Sequence, residues 1–561
     1  MSESSPPTTG PGRAKVSRWV FIPAAVLIVA FVGYGAGFTD HATKLFRSLH
    51  QGVIASFGWF YTVIVAIFVV FAIVVGASRL GDVTLGRDDE EPEFRIGSWL
   101  AMLFAAGMGI GLVFWGVAEP VSHLVDPRPG SAGARVAASS PADPWYDAPE
   151  LRPEAGGVAQ EALLQTFLHW GLHPWAIYAV VGLAVGYTIH RKGRPVSIRW
   201  ALEPVLGRYV RSWLGDVIDI VAVVATVIGV ATSLGLGVLQ IGAGIEAVSG
   251  VEPGTFLRVM LVIGITLAAT LSVVSGVARG IRWLSNINVS LMFVLLGFVL
   301  VTGPTLFLLR GLIQSLGLYL QNLFRLSFTV GAEQGSAGLE WSATWSTFYW
   351  GWWMSWAPFV GIFIARISRG RTVRQFIAGT LLVPSFASFV WFAVLGGAGL
   401  HRELFGSGGL GAAVERGEEF ALFALLDGLP AATLVSIVAL VLIALFFITS
   451  SDSGSLVVDM LASGGDPDPP IWSRVFWALL EGAVAAALVV LAAGGLEALQ
   501  TAPILAALPV SLVMLVMCVA IWRNLRAERL AAVRAQRSRR AAELTEQVSR
   551  RLENGEGEYS S

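Results

Sequence analysis

The sequence predicts an all-α integral membrane protein with about twelve transmembrane helices, and three observations predict it. Of 561 residues, 55% are hydrophobic and 14% charged, with a mean hydropathy of +0.68, whereas a soluble domain carries roughly 25% charge. Apolar stretches bounded by charge or by Gly and Pro fall near residues 19–38, 52–77, 97–118, 161–189, 216–245, 255–277, 286–311, 341–365, 376–399, 431–450, 473–493 and 498–522, and a helical span needs about 20 such residues. Arginine and lysine gather in alternate short connections, the asymmetry that sets orientation in a membrane.

Taken in order, residues 1–18 are polar, with basic residues just before the first span and no small-residue cleavage site; they read as a disordered cytoplasmic tail and not a signal peptide. The basic segments His190–Arg211, Arg279–Arg282 and Arg366–Arg374 belong inside, so an even number of spans puts both tails in the cytoplasm. Val121–Gln160 and His401–Asp427 then lie outside. Gly311–Ser327 alternates apolar and polar residues at helical spacing and predicts an amphipathic helix along the outer surface, within a connection over 312–340. After Trp522 the segment 523–561 is rich in Ala, Leu, Glu and Arg. It reads as a helical cytoplasmic tail, either solvated or docked on anionic headgroups, where each basic residue is worth about 1 kcal/mol.

The net charge of −1 gives no field to attract nucleic acid. Cys518 is the only cysteine, which excludes an intrachain disulfide. Phosphate-loop, paired-histidine metal and nucleophile-elbow motifs are absent from the sequence, so nothing points to an enzyme.

Four stretches carry chemistry. Trp341–Phe359 is crowded with tryptophan; at helical spacing Trp352, Trp356 and Phe359 share a face, with Phe348, Tyr349 and Trp353 beside it. Such a wall suits a methylated organic cation held by cation–π attraction, although aromatics also fill cores and mark the membrane interface. Gly107, Gly109 and Gly111 fall at membrane depth, where each weakens a helix by about 1 kcal/mol. Gly107 and Gly111 have the spacing of a helix-packing stripe, but Gly109 does not fit it, and an unwound segment would free backbone groups to line a binding site. In His169–Tyr178, Trp170, Trp175 and Tyr178 add rings and Pro174 bends the helix; His169 and His173 are either proton relays or histidines satisfied by neighbouring backbone. Phe446–Gly454 clusters hydroxyls, which either bond back to the preceding turn or supply neutral oxygens to a monovalent cation, with Asp452 at the helix end. An ion channel would show filter loops or charged rings, whereas discontinuous helices in two halves suit a secondary transporter.

The runs GMGIGLVFWGVAEP (Gly107–Pro120), HWGLHPW (His169–Trp175), TFYWGWWMSWAPFVGIFIARISRGR (Thr347–Arg371) and FFITSSDSGS (Phe446–Ser455) together resemble the betaine/carnitine/choline transporter family over roughly residues 15 to 525. The resemblance implies a leucine-transporter-type fold: two extra N-terminal helices over 19–96, then inverted five-helix repeats over 97–311 and 341–522. It implies an aromatic box of Trp170, Trp175, Tyr178 and Trp353, a path lined by Phe348, Trp352 and Trp356, and one sodium held by Ala105, Met108, Phe446, Thr449 and Ser450. A second sodium would use Thr226 and Phe359, but Val230 stands where the family has a further hydroxyl. It also implies a homotrimer in the cell's inner membrane and no cofactor beyond the coupling sodium. Related choline carriers tend to have Asp in the glycine run where this chain has Gly111, so glycine betaine is the expected substrate. Proton-coupled choline, ectoine or carnitine transport is the alternative.

Overall fold

The computed structural model describes residues 16–107, 109–131, 152–275, 278–492 and 496–553. Among the described residues regular structure is helical, and the single β contact is an isolated bridge between Thr84 and Thr372. A bilayer core offers no water to backbone amides, so each spanning segment must satisfy its own, as a helix does.

The long helices are α1 (Arg18–Gly37), α2 (Thr39–Ala77), α3 (Ile96–Gly107), α4 (Ile110–Val125), α5 (Arg152–Trp170), α6 (Leu172–Gly186), α7 (Trp213–Ser249) and α8 (Thr255–Ser275). They continue as α9 (Ala278–Thr302), α10 (Thr305–Ser327), α11 (Phe348–Arg366), α12 (Val373–Phe405), α13 (Ala432–Ala462), α14 (Ile471–Leu491) and α15 (Glu497–Glu553). Ten described helices are long and apolar enough to cross a membrane, and eleven if the bent pair α3–α4 counts as one span. The twelfth expected span is α11, which is 19 residues long; its indole N–H groups make it less apolar than its neighbours.

Layering follows from which faces are apolar. The α4, α6, α7, α11 and α12 helices pack against one another at the centre. By contrast α1, α8 and α9 turn large apolar side chains outward, among them Trp19, Leu27, Phe256, Leu271, Phe293 and Val301, as lipid-facing helices do. Ser17 N, before α1, donates to the Ala462 carbonyl at 3.1 Å, and Arg523 Nη1, where α15 enters the Arg-rich tail, donates to the Pro204 carbonyl at 3.2 Å. The α10 helix packs on α5 and α12 and buries Ser315 and Tyr319 while exposing Ile313, Leu320 and Phe324.

The bend between Ile96–Ala105 and Ile110–Val125 is 64°. Gly109, at the start of α4, is fully extended at φ −157°, ψ −175°. The helix that opens the second half behaves differently. Gly335–Ser342 runs into α11 through a widened π-type turn at Ala343–Thr347, so this helix bulges where α3–α4 breaks. No glycine run weakens it, and its one glycine near the middle, Gly351, lies against the backbone of Ile504.

Candidate functional site

The break in α3–α4 opens onto a narrow chamber. Gly109, Gly111 and Leu112 form one side of it, and Trp170, Pro174, Trp175 and Tyr178 a second. Trp352, Trp353 and Trp356 form the third, with Ser233 and Ser388 at the margins. No ionised side chain lines it. Trp352 and Trp353 stack with centroids 4.6 Å apart, and Trp170 meets Trp353 edge-on at 4.8 Å. Tyr178 lies 6.4 Å from Trp353 and 6.5 Å from Trp356.

Two features give the chamber its polarity. The rings present negative π faces, whereas the first N–H groups of α4 lack helical acceptors and carry the positive end of its dipole. Three wall atoms, Tyr178 Oη, Trp352 Nε1 and Trp356 Nε1, are buried without a partner, which leaves donors free for a guest. Gly111 is required by space: a Cβ there would lie 2.7 Å from Trp352 and 3.0 Å from Trp170.

Behind the chamber sits a buried carboxylate that the sequence reading passed over. Glu119 of α4 is 0% exposed. Its Oε2 accepts from Trp170 Nε1 at 2.6 Å and from Tyr349 Oη at 2.5 Å. Its Oε1 contacts His169 Nδ1 at 2.6 Å and His123 Nε2 at 3.3 Å. An ionised carboxylate at this position would only accept, and both histidines would then present N–H to it. That would assign His169 Nε2 as acceptor from Ser346 Oγ at 3.0 Å. Glu119, His123 and His169 are metal ligands by type and cluster within 4.8 Å. In this arrangement the Glu119 oxygens, both His169 nitrogens and His123 Nε2 are engaged with one another and with Trp170, Tyr349 and Ser346, while His123 Nδ1 is buried without a partner. His123 stands 4.5 Å from Trp345, and Trp353 Nε1 bonds the His169 carbonyl at 3.0 Å. The hub thus ties α4, α5 and α11 together as a roof over the rings. The one signal for it in the sequence is an acidic residue inside an apolar run next to a proline.

A second, roomier cavity lies on the other side of Trp356. Ala105, Phe446, Thr449 and Ser450 line it, together with Ser453 and Asn288. Trp356 borders both spaces. The carbonyls of the last turn of α3 have no helical partner, so this cavity has bare backbone oxygens beside hydroxyls. Thr449 Oγ1 donates to Leu445 O at 2.9 Å and also lies 3.2 Å from Phe446 O, keeping a lone pair for a cation.

The structure therefore brings eight expected residues, Gly109, Gly111, Trp170, Trp175, Tyr178, Trp352, Trp353 and Trp356, around one chamber. Phe348 is not among the lining groups; it is fully buried and stacks on Trp352 at 5.5 Å. Gly107 ends α3, and Met108 lies outside the described residues. Of the pair expected for a second sodium, Phe359 lines the second cavity, while Thr226 is buried and turns its hydroxyl to Ala222 O at 2.7 Å. The histidines take side-chain partners where backbone partners were expected, and His173 Nδ1 stays buried without one. His169 bonds Glu119, and His173 bonds Ser327 Oγ at 2.8 Å and stacks on Trp350.

Comparison with known proteins covers this same framework. A family model described as betaine/carnitine/choline family transporter matches residues 19–530. An uncharacterized transporter of Mycobacterium tuberculosis is 48% identical over 509 residues, 90% of this chain and 82% of that one. A glycine betaine transporter of Bacillus subtilis is 41% identical over 519 residues, 92% of this chain and 96% of its own length. Glycine betaine transporter 1 of Vibrio parahaemolyticus is likewise 41% identical, over 529 residues, 92% and 97% of the two chains. The match runs from the first span past the last and takes in the broken glycine helix, both aromatic walls and the hydroxyl cluster, so this multi-pass membrane protein is a transporter, not an enzyme, and belongs to the betaine/carnitine/choline transporter family.

Proposed function

We propose that the protein imports glycine betaine by symport with sodium, working by alternating access with both chain ends in the cytoplasm of the cell that carries it in its inner membrane. The observation that carries this reading is the polarity of the chamber. Rings without a facing carboxylate suit the trimethylammonium group, and the N-terminus of α4 with the free donors of Tyr178 and Trp356 suits the substrate's own carboxylate. Choline, with a neutral hydroxyl in place of the carboxylate, would meet those donors with the weaker acceptor. Glu119 strengthens the aromatic side indirectly. The charge-assisted bond from Trp170 Nε1 to the carboxylate pushes electron density into that indole.

Sodium is assigned to the second cavity, where Ala105, Phe446, Thr449 and Ser450 supply neutral oxygens, the ligands a hard monovalent cation takes. Trp356 stands between the two spaces, so filling either side bears on the same ring. Homotrimer assembly and the inverted-repeat pairing of 97–311 with 341–522 belong to this proposal on the family resemblance.

Uptake of labelled glycine betaine, choline, carnitine and ectoine into proteoliposomes, under sodium and proton gradients applied separately, tests it. Sodium-driven accumulation of betaine above the others is expected. Accumulation of choline under a proton gradient alone would replace this reading with the proton-coupled alternative.

A further inference from the structure

A carboxylate in the membrane region that has no counter-charge stands out. Glu481 of α14 is 0% exposed, and both its oxygens lack a hydrogen-bond partner. It lies where α14 packs against α7, α8 and α13. Gly454 of α13 makes the approach possible: a Cβ there would sit 3.1 Å from Val230 of α7 and 3.4 Å from Glu481 Oε1. The hydroxyl of Ser451, one turn before Gly454, is also buried without a partner.

The charged groups on the surrounding helices do not neutralise it. On α13, Asp452 acts on Glu481 with the same sign and has Arg474 as its own opposite charge. Asp459 of α13 bonds Ser473. Arg474 of α14 is two turns away along the helix, roughly 10 Å, and faces Asp452 and Asp468. On α7, Asp216 and Asp219 pair with Arg199, and Glu246 with Arg416. Arg258 of α8 and Arg18 of α1 stand near the ends of their helices. An ionised carboxylate left alone in such a place costs several kcal/mol. A sodium ion would neutralise it but would demand several oxygens at once, whereas a proton demands none.

We infer that Glu481 is a proton-binding site, neutral in the arrangement described here, and that losing its proton forces α7, α13 and α14 apart. The sign follows directly. The bound proton stabilises this packing, so the packing is kept at low pH and lost as pH rises and the carboxylate ionises beside Asp452. Thr449, Ser450 and Ser453 of the second cavity are on the same helix α13, within a turn of Asp452 and Gly454. A shift of α13 at Glu481 therefore moves those oxygens, a link that rests on the second cavity being the cation site.

The test uses the full chain in liposomes and has two readouts. Infrared spectra across a pH titration should show the carbonyl stretch of a protonated carboxylic acid at neutral pH. The stretch should fade as pH rises, and it should be missing from Glu481→Gln while surviving in Asp452→Asn. Sodium-driven betaine uptake by the unaltered protein should fall about tenfold per pH unit above that titration, in step with the protonated fraction, while Glu481→Gln stays flat. No Glu481-dependent stretch at neutral pH would mean an ionised group with a cation partner and would overturn the inference. Both neutral replacements, Glu481→Gln and Glu481→Leu, should fold, and failure of both would overturn it too. Absence of sodium-driven uptake in the unaltered protein would sink the proposed function and leave the infrared result to decide the proton site by itself.

Discussion

The chamber makes its sharpest demand at Gly111. A methyl added there would lie 2.7 Å from the edge of Trp352 and 3.0 Å from that of Trp170, where ordinary contact begins at 3.4 Å. Neither ring can give way freely. Trp352 is stacked on Trp353 at 4.6 Å and on Phe348 at 5.5 Å, and Trp170 is fastened to Glu119 through its N–H at 2.6 Å. Gly111→Ala must therefore push indoles into the space the substrate would occupy, at a cost of about 1–3 kcal/mol for overpacking. Charged against binding, that is roughly a 5- to 150-fold rise in Kd. Gly109 provides the internal control. Its extended backbone suits any residue, and a Cβ there would meet only Trp356, at an ordinary 3.7 Å, so Gly109→Ala should change Kd by less than about threefold. Calorimetric titration of the purified variants with betaine, backed by uptake kinetics, reads both. If the two alanines weakened binding equally, helix breaking and not ring contact would explain the glycines. If Gly111→Ala bound normally, the chamber as described would not be where substrate sits.

Four further outcomes are expected. Trp353→Ala and Trp356→Ala should each raise the apparent substrate constant about 5- to 30-fold, the loss of some 1–2 kcal/mol of desolvated cation–π attraction; normal uptake kinetics in both would refute the ring assignment. Thr449→Ala combined with Ser450→Ala should abolish the stimulation of uptake by sodium, and unchanged stimulation would remove the second cavity from coupling. Glu119→Gln keeps the shape of the hub but loses a charge that holds four side chains, so binding should weaken about tenfold or more; unaltered affinity and unaltered tryptophan fluorescence would show that Trp170 does not depend on it. At the tail, the hydrogen bond from Arg191 at 2.9 Å lowers the Glu528 carboxyl from 4.5 to about 2. A depressed carboxylate stabilises the docked tail above pH 4.5 and loses that contribution as pH falls toward 2. Protection factors for amide exchange along residues 523–553, taken relative to the intrinsic rate at each pH, should therefore fall in Glu528→Gln at neutral pH and in the unaltered chain under acid; equal protection factors in these and in the unaltered chain at neutral pH would exclude this contact as the anchor.

Most of the fold was legible because the bilayer leaves little choice. Long apolar runs such as 216–245 and 431–450 must be helical, and the structure extends them to Trp213–Ser249 and Ala432–Ala462. What hydropathy does not register is where a helix continues after it leaves the lipid. The α15 helix runs unbroken from Glu497 into the Arg-rich tail, because Ala, Leu, Glu and Arg are strong helix formers with or without a membrane. Composition likewise does not separate a broken helix from a bulged one. The three glycines signalled a break and α3–α4 has one, but the π-type turn before Phe348 has no comparable residue signature.

Within the site, aromatic residues announce themselves because rings are scarce, bulky and spaced by the helix; Trp352, Trp353 and Trp356 were legible for that reason. Which side each ring shows is a tertiary fact, and Phe348, one turn before Trp352, ends up as the support of the wall instead of its surface. The two fully buried glutamates, Glu119 and Glu481, were illegible for a different reason. A lone acidic residue in an apolar run has no period; Glu119 has only His123 as a partner within its own helix, Glu481 has none, and the meaning of each comes from what other helices bring to it. Four side chains converge on Glu119 and make it a hub that can carry a charge, whereas no partner reaches the oxygens of Glu481, which makes it a group that must carry a proton. The same residue type thus takes opposite roles within one membrane protein, and the difference lies in the donors contributed by α5 and α11 on one side and withheld by α7 and α13 on the other.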